Sequence, residues 1–142
     1  MPLDLISVVG YGTFITEGYW KDKENVETCI VKDFVRIYPK ANWFPFILPA
    51  KGNSFKALKF DVEKGQLHAL DLYEGVSADL YDRVKIQVFI KNDNKINAFI
   101  YVPTQKTIES QGLTPEMDKN DRWREKIKKF PEIVKKFPEL IS

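Results

Sequence analysis

A small mixed or antiparallel β-barrel of the α+β class, with a few short helices and a C-terminal helical tail, is the fold that the sequence predicts. Segments rich in β-branched and aromatic residues dominate the chain up to residue 102, and they lie too close together for the helical crossovers that parallel strands need. The clearest pair, residues 84–90 and 96–102, alternates apolar and polar side chains on both sides of a polar turn at 92–95, which is typical of a β-hairpin. With 142 residues the chain fits one domain. We expect the barrel at 1–115 and a helical extension at 116–142, packed on the same domain.

The other strands lie before this hairpin. Residues 5–9 form a nearly unbroken apolar run that predicts a buried strand, and the run leads into Gly10. Residues 26–38, 43–48 and 55–62 also predict strands, because they are rich in β-branched and aromatic side chains. The breaks between these strands are expected at residues that commonly interrupt a strand, namely Pro39, Pro45, Pro49 and Gly52.

A short helix is predicted between Gly65 and Gly75, where the apolar period changes. Leu67, Leu70 and Glu74 follow the i, i+3, i+7 spacing of one helix face. Gly75 stands where a helix C-cap belongs. This helix places Glu74 beside apolar side chains and at its C-terminal end, where the helix dipole disfavours a negative charge. Both effects predict a raised pKa for the Glu74 carboxyl.

The composition changes after residue 102, and residues 119–142 are strongly charged. The unit Lys-Lys-Phe-Pro-Glu occurs twice there, at 128–132 and 135–139, and each proline ends a helix at the preceding phenylalanine. We expect one helix at 118–129, followed by an irregular or short-helical tail. The apolar side chains of this tail are expected to pack on the barrel or on another subunit, which leaves a homodimer open; they are Phe130, Ile133 and Phe137.

Charge and composition exclude several classes of function. The chain has 22 Lys and Arg against 20 Asp and Glu, so a small molecule is a better expected partner than a nucleic acid or an anionic membrane. The single Cys29 and the single His68 exclude an internal disulfide, a cysteine-rich zinc site and a multi-histidine metal cluster. A metal site made of Asp and Glu alone stays open. The sequence shows no basic signal-peptide region and no apolar run near the ~18 residues of a membrane span, so we expect a cytoplasmic protein.

Three short motifs occur in order along the chain. The loop Tyr-Gly-Thr-Phe at 11–14 follows the first strand, the run Leu-Asp-Leu-Tyr-Glu-Gly spans 70–75, and Tyr-Asp-Arg at 81–83 opens a later strand. With these motifs, the chain over residues 5–102 resembles the γ-glutamylcyclotransferase-like family, which includes γ-glutamylamine cyclotransferases and avirulence-induced-gene-like proteins. Phe14 and Ile15 depart from the family pattern, which has leucine and commonly arginine at these positions. The resemblance implies the same small barrel.

The resemblance implies an enzyme that uses no metal and no cofactor. In that reaction the α-amine of a γ-glutamyl substrate attacks its own γ-carbonyl, which gives 5-oxoproline and a free amino acid or amine. One carboxyl group with a raised pKa can accept a proton from the amine and return it to the leaving nitrogen, and Glu74 is the predicted catalytic residue. Arg83 is expected to pair with Asp71 or Asp82, or else to fix the surroundings of the catalytic carboxyl. The loop is expected to donate backbone N–H groups to a carboxylate or an oxyanion, and the predicted substrate-binding residues are Tyr11, Gly12, Thr13, Phe14 and Tyr81.

Other interpretations of these residues stay open from the sequence. One is a non-catalytic barrel of the same fold that binds a small molecule or a protein partner. Phosphate binding by the glycine loop is the poorer explanation, because the loop lacks the Gly-Lys-Ser/Thr of a P-loop and the third glycine of a dinucleotide fingerprint. Trp43, Phe44 and Phe46 are expected in the core or a pocket wall rather than as stacking platforms for an oligonucleotide. Cys29 and His68 are expected to be core or solvated residues rather than a nucleophile pair.

Overall fold

Five strands close into a barrel in the computed structural model, which describes residues 5–40, 42–117 and 122–141. Around the barrel the strands follow the order β1-β3-β2-β4-β5, and the β1–β5 pair that closes it is parallel, with Val8 opposite Phe99. The other pairs are antiparallel. The predicted mixed barrel of the α+β class is thereby confirmed. The strands are β1 (Ile6–Gly10), β2 (Glu24–Ile37), β3 (Phe46–Val62), β4 (Tyr81–Phe89) and β5 (Lys95–Pro103).

One long strand replaces two of the predicted strands. The sequence predicts separate strands at 43–48 and 55–62, but β3 is continuous, so this prediction is wrong. Between the two segments β3 carries extra residues opposite Asp33 of β2, and the register of the pair shifts there. The Gly52 N–H donates to Asp33 Oδ1 at 3.0 Å, and both residues have positive φ. Pro49 and Gly52 therefore mark a bulge rather than a strand end, because a bulge accommodates residues that have no partner in the ladder.

The predicted β4–β5 hairpin is present, and its register pairs Val84 with Ile100 and Val88 with Ile96. Apolar side chains on alternate positions of all five strands form a buried cluster, which fills the barrel interior. Because these side chains point inward, they fix the register of the strands. The outer faces and the ends of the strands therefore take fixed positions.

Short helices connect and flank the strands in the described part of the chain. The predicted helix is present as α2: a capping box of Glu63 and Gln66 starts it, and Gly75, with φ of +73°, follows its end. Two other helices were not predicted, because a single turn at 13–16 and a seven-residue helix after Thr104 are too short to show a clear period. The α-helices are α1 (Thr13–Thr16), α2 (Lys64–Tyr73), α3 (Gln105–Gln111), α4 (Arg122–Ile127) and α5 (Pro131–Lys136), with 3₁₀ turns at Tyr19–Asp22, Lys91–Asp93 and Pro138–Ile141.

The C-terminal helices pack on the barrel. Their buried side chains belong to one apolar cluster with Val8, Phe60 and Leu70. The tail was expected to pack on the barrel or on another subunit, and the structure shows it on the barrel. The predicted helix at 118–129 is observed from Arg122 to Ile127, and its first part, 118–121, lies outside the described residues. The domain boundary near 115 and the homodimer stay predictions. The C-terminal members of the cluster are Trp123, Ile127, Ile133, Phe137 and Leu140, with Phe130 partly buried against them.

Within the described ranges, none of the helices combines the length and the apolar character that crossing a membrane requires.

Candidate active site

A cavity of about 220 Å³ lies where the loop after β1, the end of α2 and the start of β4 meet. All six residues that the sequence predicts for catalysis or substrate binding line this cavity, although positions up to 70 residues apart in the chain supply them. Their chemical roles stay predictions. The cavity is lined by Tyr11, Gly12, Thr13, Phe14, Glu74 and Tyr81, and also by Val9, Trp43, Phe44, Pro45, Tyr73, Leu80 and Tyr101.

Gly12 brings the backbone of the loop against the ring of Pro45. A Cβ atom at Gly12 would lie 2.7 Å from Pro45 Cγ, closer than real Cβ contacts allow, so only glycine fits without a shift of this rigid ring. The Gly12 carbonyl accepts from the N–H of Ile15 at 2.9 Å, which starts α1. In the described structure, no backbone hydrogen bond uses the N–H of Gly12, Thr13 or Phe14 as donor. These N–H groups are therefore the donors that the loop can offer to an anionic ligand.

Hydrogen bonds from distant parts of the barrel hold the loop in place. The Tyr11 hydroxyl donates to the backbone carbonyl of Tyr101 at 2.7 Å. Arg36 is buried and donates to the Tyr11 carbonyl at 3.3 Å and to the Lys56 carbonyl at 3.0 Å. The position of the loop is thus set by β2, β3 and β5 together, which preorganises it for a ligand.

Phe14 and Ile15, the two departures from the family pattern, are both buried. The Phe14 ring packs against neighbouring aromatic rings, with its centroid 5.2 Å from that of Tyr19 and 6.0 Å from that of Tyr73, which also lines the cavity. Ile15 is 1% exposed. Phe14 therefore forms part of the wall, and position 15 presents an apolar side chain to the core rather than a charge to the cavity.

Glu74 is the C-cap of α2, and its backbone N–H donates to the Leu70 carbonyl at 2.9 Å. The side chain is half-buried against the cavity. Burial raises the pKa of the Glu74 carboxyl to about 7. The sequence predicts this direction, and burial is the cause that the structure shows. A carboxyl group that titrates near neutral pH can act both as a base and as an acid.

Four tyrosine hydroxyls lie within electrostatic reach of the Glu74 carboxylate. Burial raises the pKa of each of them, and the negative charge of Glu74 raises it further. The tyrosines therefore stay protonated at neutral pH and can serve as hydrogen-bond donors. Two of them were predicted, Tyr11 and Tyr81, and two were missed, Tyr73 and Tyr101.

An ion pair fixes the last turn of α2 against the barrel. Arg83 on β4 donates to Asp71 Oδ2 at 2.9 Å, and the Tyr101 hydroxyl donates to Asp71 Oδ1 at 2.7 Å. Of the expected partners of Arg83, the structure therefore shows Asp71. Because Asp71 lies one turn before Glu74, these two contacts set the position of the catalytic candidate.

The remaining candidates of the sequence lie in the core or on the surface. Phe46 is 2% exposed, while Trp43 and Phe44 line the cavity, as expected for core and wall residues. Cys29 is buried in the barrel interior, and burial raises the pKa of its thiol to about 12. His68 is exposed on α2. The two residues therefore do not form a nucleophile pair.

In the described part of the chain, no three His, Cys, Asp or Glu side chains group together as a metal site would require. The absence of a metal from the reaction stays a prediction.

Comparisons with known proteins agree with this fold. The family model "Gamma-glutamyl cyclotransferase, AIG2-like" matches residues 8–125, while no curated protein matches the chain. A solution structure from Arabidopsis thaliana shares 19% identity, and the match covers 95% of this chain and 82% of that chain with a TM-score of 0.68. An AIG2-like protein from Mus musculus shares 20% identity over 79% of this chain and 86% of its own, with a TM-score of 0.60. A yeast γ-glutamyl cyclotransferase specific to glutathione shares 12% identity over 70% and 69%, with a TM-score of 0.53.

At these identities the solved structures establish the common barrel. The family model spans most of the chain and includes the loop at 11–14, Glu74 and the start of β4. The chain belongs to the γ-glutamyl cyclotransferase, AIG2-like family.

Proposed function

We propose that this protein is a γ-glutamylcyclotransferase that works without a metal and uses Glu74 as general acid and base. The observation that carries the proposal is the Glu74 carboxyl, with a pKa of about 7, which lines the same cavity as the loop residues Gly12, Thr13 and Phe14. Acid–base catalysis is most effective when the pKa of the group lies near the working pH. Family membership and the cyclotransferases among the structural neighbours support the reaction class.

The reaction needs two proton transfers and no water. The substrate α-ammonium gives one proton to the Glu74 carboxylate, and the resulting amine attacks the γ-carbonyl carbon to form the new C–N bond of the five-membered ring. The carbonyl oxygen becomes an oxyanion, which backbone N–H groups of the loop can stabilise. The bond to the leaving nitrogen then breaks as that nitrogen takes the proton from Glu74. The ring nitrogen gives its second proton to Glu74, which passes it to the departing amine as the lactam forms, so the products are 5-oxoproline and an ammonium ion, and Glu74 returns to its starting state.

Orientation supplies much of the acceleration in this mechanism. An intramolecular attack requires that the amine and the carbonyl touch, and holding reactants in such a geometry is worth several kcal/mol. A cavity that is built on the barrel wall and held by Tyr11, Arg36 and Asp71 can provide this constraint.

The test is the formation of 5-oxoproline, followed by mass spectrometry on a panel of γ-glutamyl amino acids and γ-glutamyl amines. We expect product with the wild type and a decrease in kcat of at least about 10²-fold for Glu74→Gln, since general acid–base catalysis typically contributes 10²–10⁴-fold. The matched control is Glu109→Gln, which removes an exposed carboxylate on α3 and should retain activity. For the wild type, kcat/KM should fall about tenfold for each pH unit below pH 7, because the base form of Glu74 is lost.

Two outcomes would contradict the proposal. Full activity of Glu74→Gln would remove Glu74 from the proton transfer. The absence of 5-oxoproline from every compound, with specific binding retained, would favour a non-catalytic binding barrel of the same fold.

A further inference from the structure

Exposed apolar side chains concentrate at the opening of the cavity. Among the described residues, five large apolar side chains are exposed, and three of these line the cavity. Soluble proteins rarely leave apolar side chains exposed together around a concave site unless a ligand covers them. These three residues, which we call the mouth residues, are Trp43 (59% exposed), Tyr73 (60%) and Leu80 (47%).

The mouth residues come from three separate segments, each held by its own contacts. The Trp43 ring packs edge-on against Phe44, with centroids 5.1 Å apart. The Tyr73 hydroxyl donates to Glu17 Oε2 at 3.5 Å. Leu80 lies over Gly75, where a Cβ atom would come within 2.9 Å of Leu80 Cδ1. The apolar mouth is therefore a preformed feature of the fold.

The charges around the mouth are unfavourable for a carboxylate. In the described part of the chain, no Lys, Arg or His lines the cavity, and Glu74 is its one acidic residue. Glu17 adds a second carboxylate beside Tyr73. Lys126 reaches the same region, but it donates to the Trp43 carbonyl at 2.5 Å and to the Tyr38 hydroxyl at 2.8 Å and is not part of the wall. A carboxylate placed on the Tyr73 side of the mouth would lie beside the carboxylates of Glu17 and Glu74 and would be repelled by them.

We propose that the mouth residues select γ-glutamyl substrates whose leaving group is an amine with an apolar substituent and no carboxylate, rather than an amino acid. This inference rests on the proposed function, because the glutamyl part must reach both the loop N–H groups and Glu74 inside the cavity. The group on the other side of the scissile amide then extends outward onto the mouth. Apolar contact there stabilises an apolar leaving group, and repulsion by Glu17 and Glu74 disfavours a leaving group that carries a carboxylate.

The experiment compares three substrates that differ only in the leaving group: γ-glutamylphenethylamide, γ-glutamylphenylalanine, which adds one carboxylate, and γ-glutamylmethylamide, which removes the apolar group. We expect kcat/KM of the wild type to be about tenfold or more higher for the phenethylamide than for the methylamide, which is the effect of about two buried methylene groups. It should also be higher than for γ-glutamylphenylalanine, whose carboxylate would lie beside Glu17 and Glu74. Trp43→Ala should reduce the preference over the methylamide by about the same factor. Leu80→Arg supplies a cation and should reduce the preference over γ-glutamylphenylalanine. Leu72→Ala is the matched control, because Leu72 is 60% exposed but does not line the cavity, and it should keep both preferences.

Binding to Glu74→Gln, measured by calorimetry, separates this inference from the proposed reaction. Tighter binding of the phenethylamide than of γ-glutamylphenylalanine would support the mouth as the selective element even if no 5-oxoproline forms. Equal binding of the two compounds, or equal loss for all three substrates in Trp43→Ala, would overturn the inference. In that case formation of 5-oxoproline by the wild type would leave the proposed function intact.

Discussion

Replacement of Glu74 by glutamine should stabilise the protein at alkaline pH while it abolishes activity. Burial raises the pKa of this carboxyl from 4.5 to about 7, so the native state binds its proton more tightly than the unfolded chain does. Below pH 4.5 the carboxyl is protonated in both states and does not disfavour folding. Between pH 4.5 and about 7 the unfolded chain releases this proton while the native state keeps it, so stability falls as the pH rises. Above about pH 7 the native state holds a buried charge and the loss is complete.

The magnitude follows from the change in pKa. At 1.36 kcal/mol for each tenfold change in proton affinity, the shift from 4.5 to about 7 corresponds to about 3 kcal/mol. Glu74→Gln removes the charge with little change of shape, so its free energy of unfolding should exceed that of the wild type by up to about 3 kcal/mol at pH 8 and by less than about 1 kcal/mol at pH 5.

Urea denaturation at pH 5 and pH 8 measures these differences directly. Glu109→Gln is again the control and should differ from the wild type by less than about 0.5 kcal/mol at both pH values, as is usual for surface substitutions. A destabilised Glu74→Gln at pH 8, or an identical difference at both pH values, would refute the assignment of a buried carboxylate with a raised pKa. A structural role of Glu74 would give that result, whereas a catalytic carboxylate held in an apolar site predicts the opposite sign.

Three further predictions concern the loop glycine, the ion pair of Asp71, and the independence of the reaction from Cys29 and from a metal. Gly12→Val should raise KM at least about tenfold, because its Cβ would meet Pro45 Cγ at 2.7 Å and one displaced donor is worth a few kcal/mol; steady-state kinetics with unchanged KM and kcat would contradict this role. Asp71→Asn, which weakens the pairing with Arg83 and Tyr101, should lower the free energy of unfolding by about 1–3 kcal/mol and reduce kcat, and unaltered urea curves would show that the pair does not hold α2. Cys29→Ala, or dialysis against EDTA, should leave kcat/KM within twofold in the 5-oxoproline assay, and loss of activity on EDTA treatment would argue for a metal in the reaction.

Features that depend on neighbours in the chain could be predicted from the sequence. The alternation in residues 84–90 and 96–102 and the polar turn between them are sufficient for the hairpin, because strand and turn geometry depend on residues within a few positions. In the same way, the apolar period before Gly75 indicates a helix that ends at Glu74. The motif at 11–14 and the acidic residue at 74 were predicted from the sequence, and both line the same cavity.

The bulge in β3 could not be predicted, because its cause lies on another strand. Pro49 and Gly52 are typical breaks when they are considered alone, but Asp33 of β2 accepts the Gly52 N–H and lets the strand continue. Hydrogen bonding to the neighbouring strand therefore prevented the strand break that Pro49 and Gly52 predict.

By itself the sequence determined the β4–β5 hairpin, helix α2, the order of the three motifs and the choice of Glu74, since each depends on residue type and short-range spacing. Only the tertiary structure decided how the site is completed: the Tyr11 hydroxyl reaches the Tyr101 carbonyl across 90 positions of the chain, and Asp71 takes Arg83 as its partner. The burial that raises the pKa of Glu74 also depends on the tertiary structure. Burial is a property of how distant segments pack, because the water that a carboxylate loses is displaced by side chains that the barrel brings together.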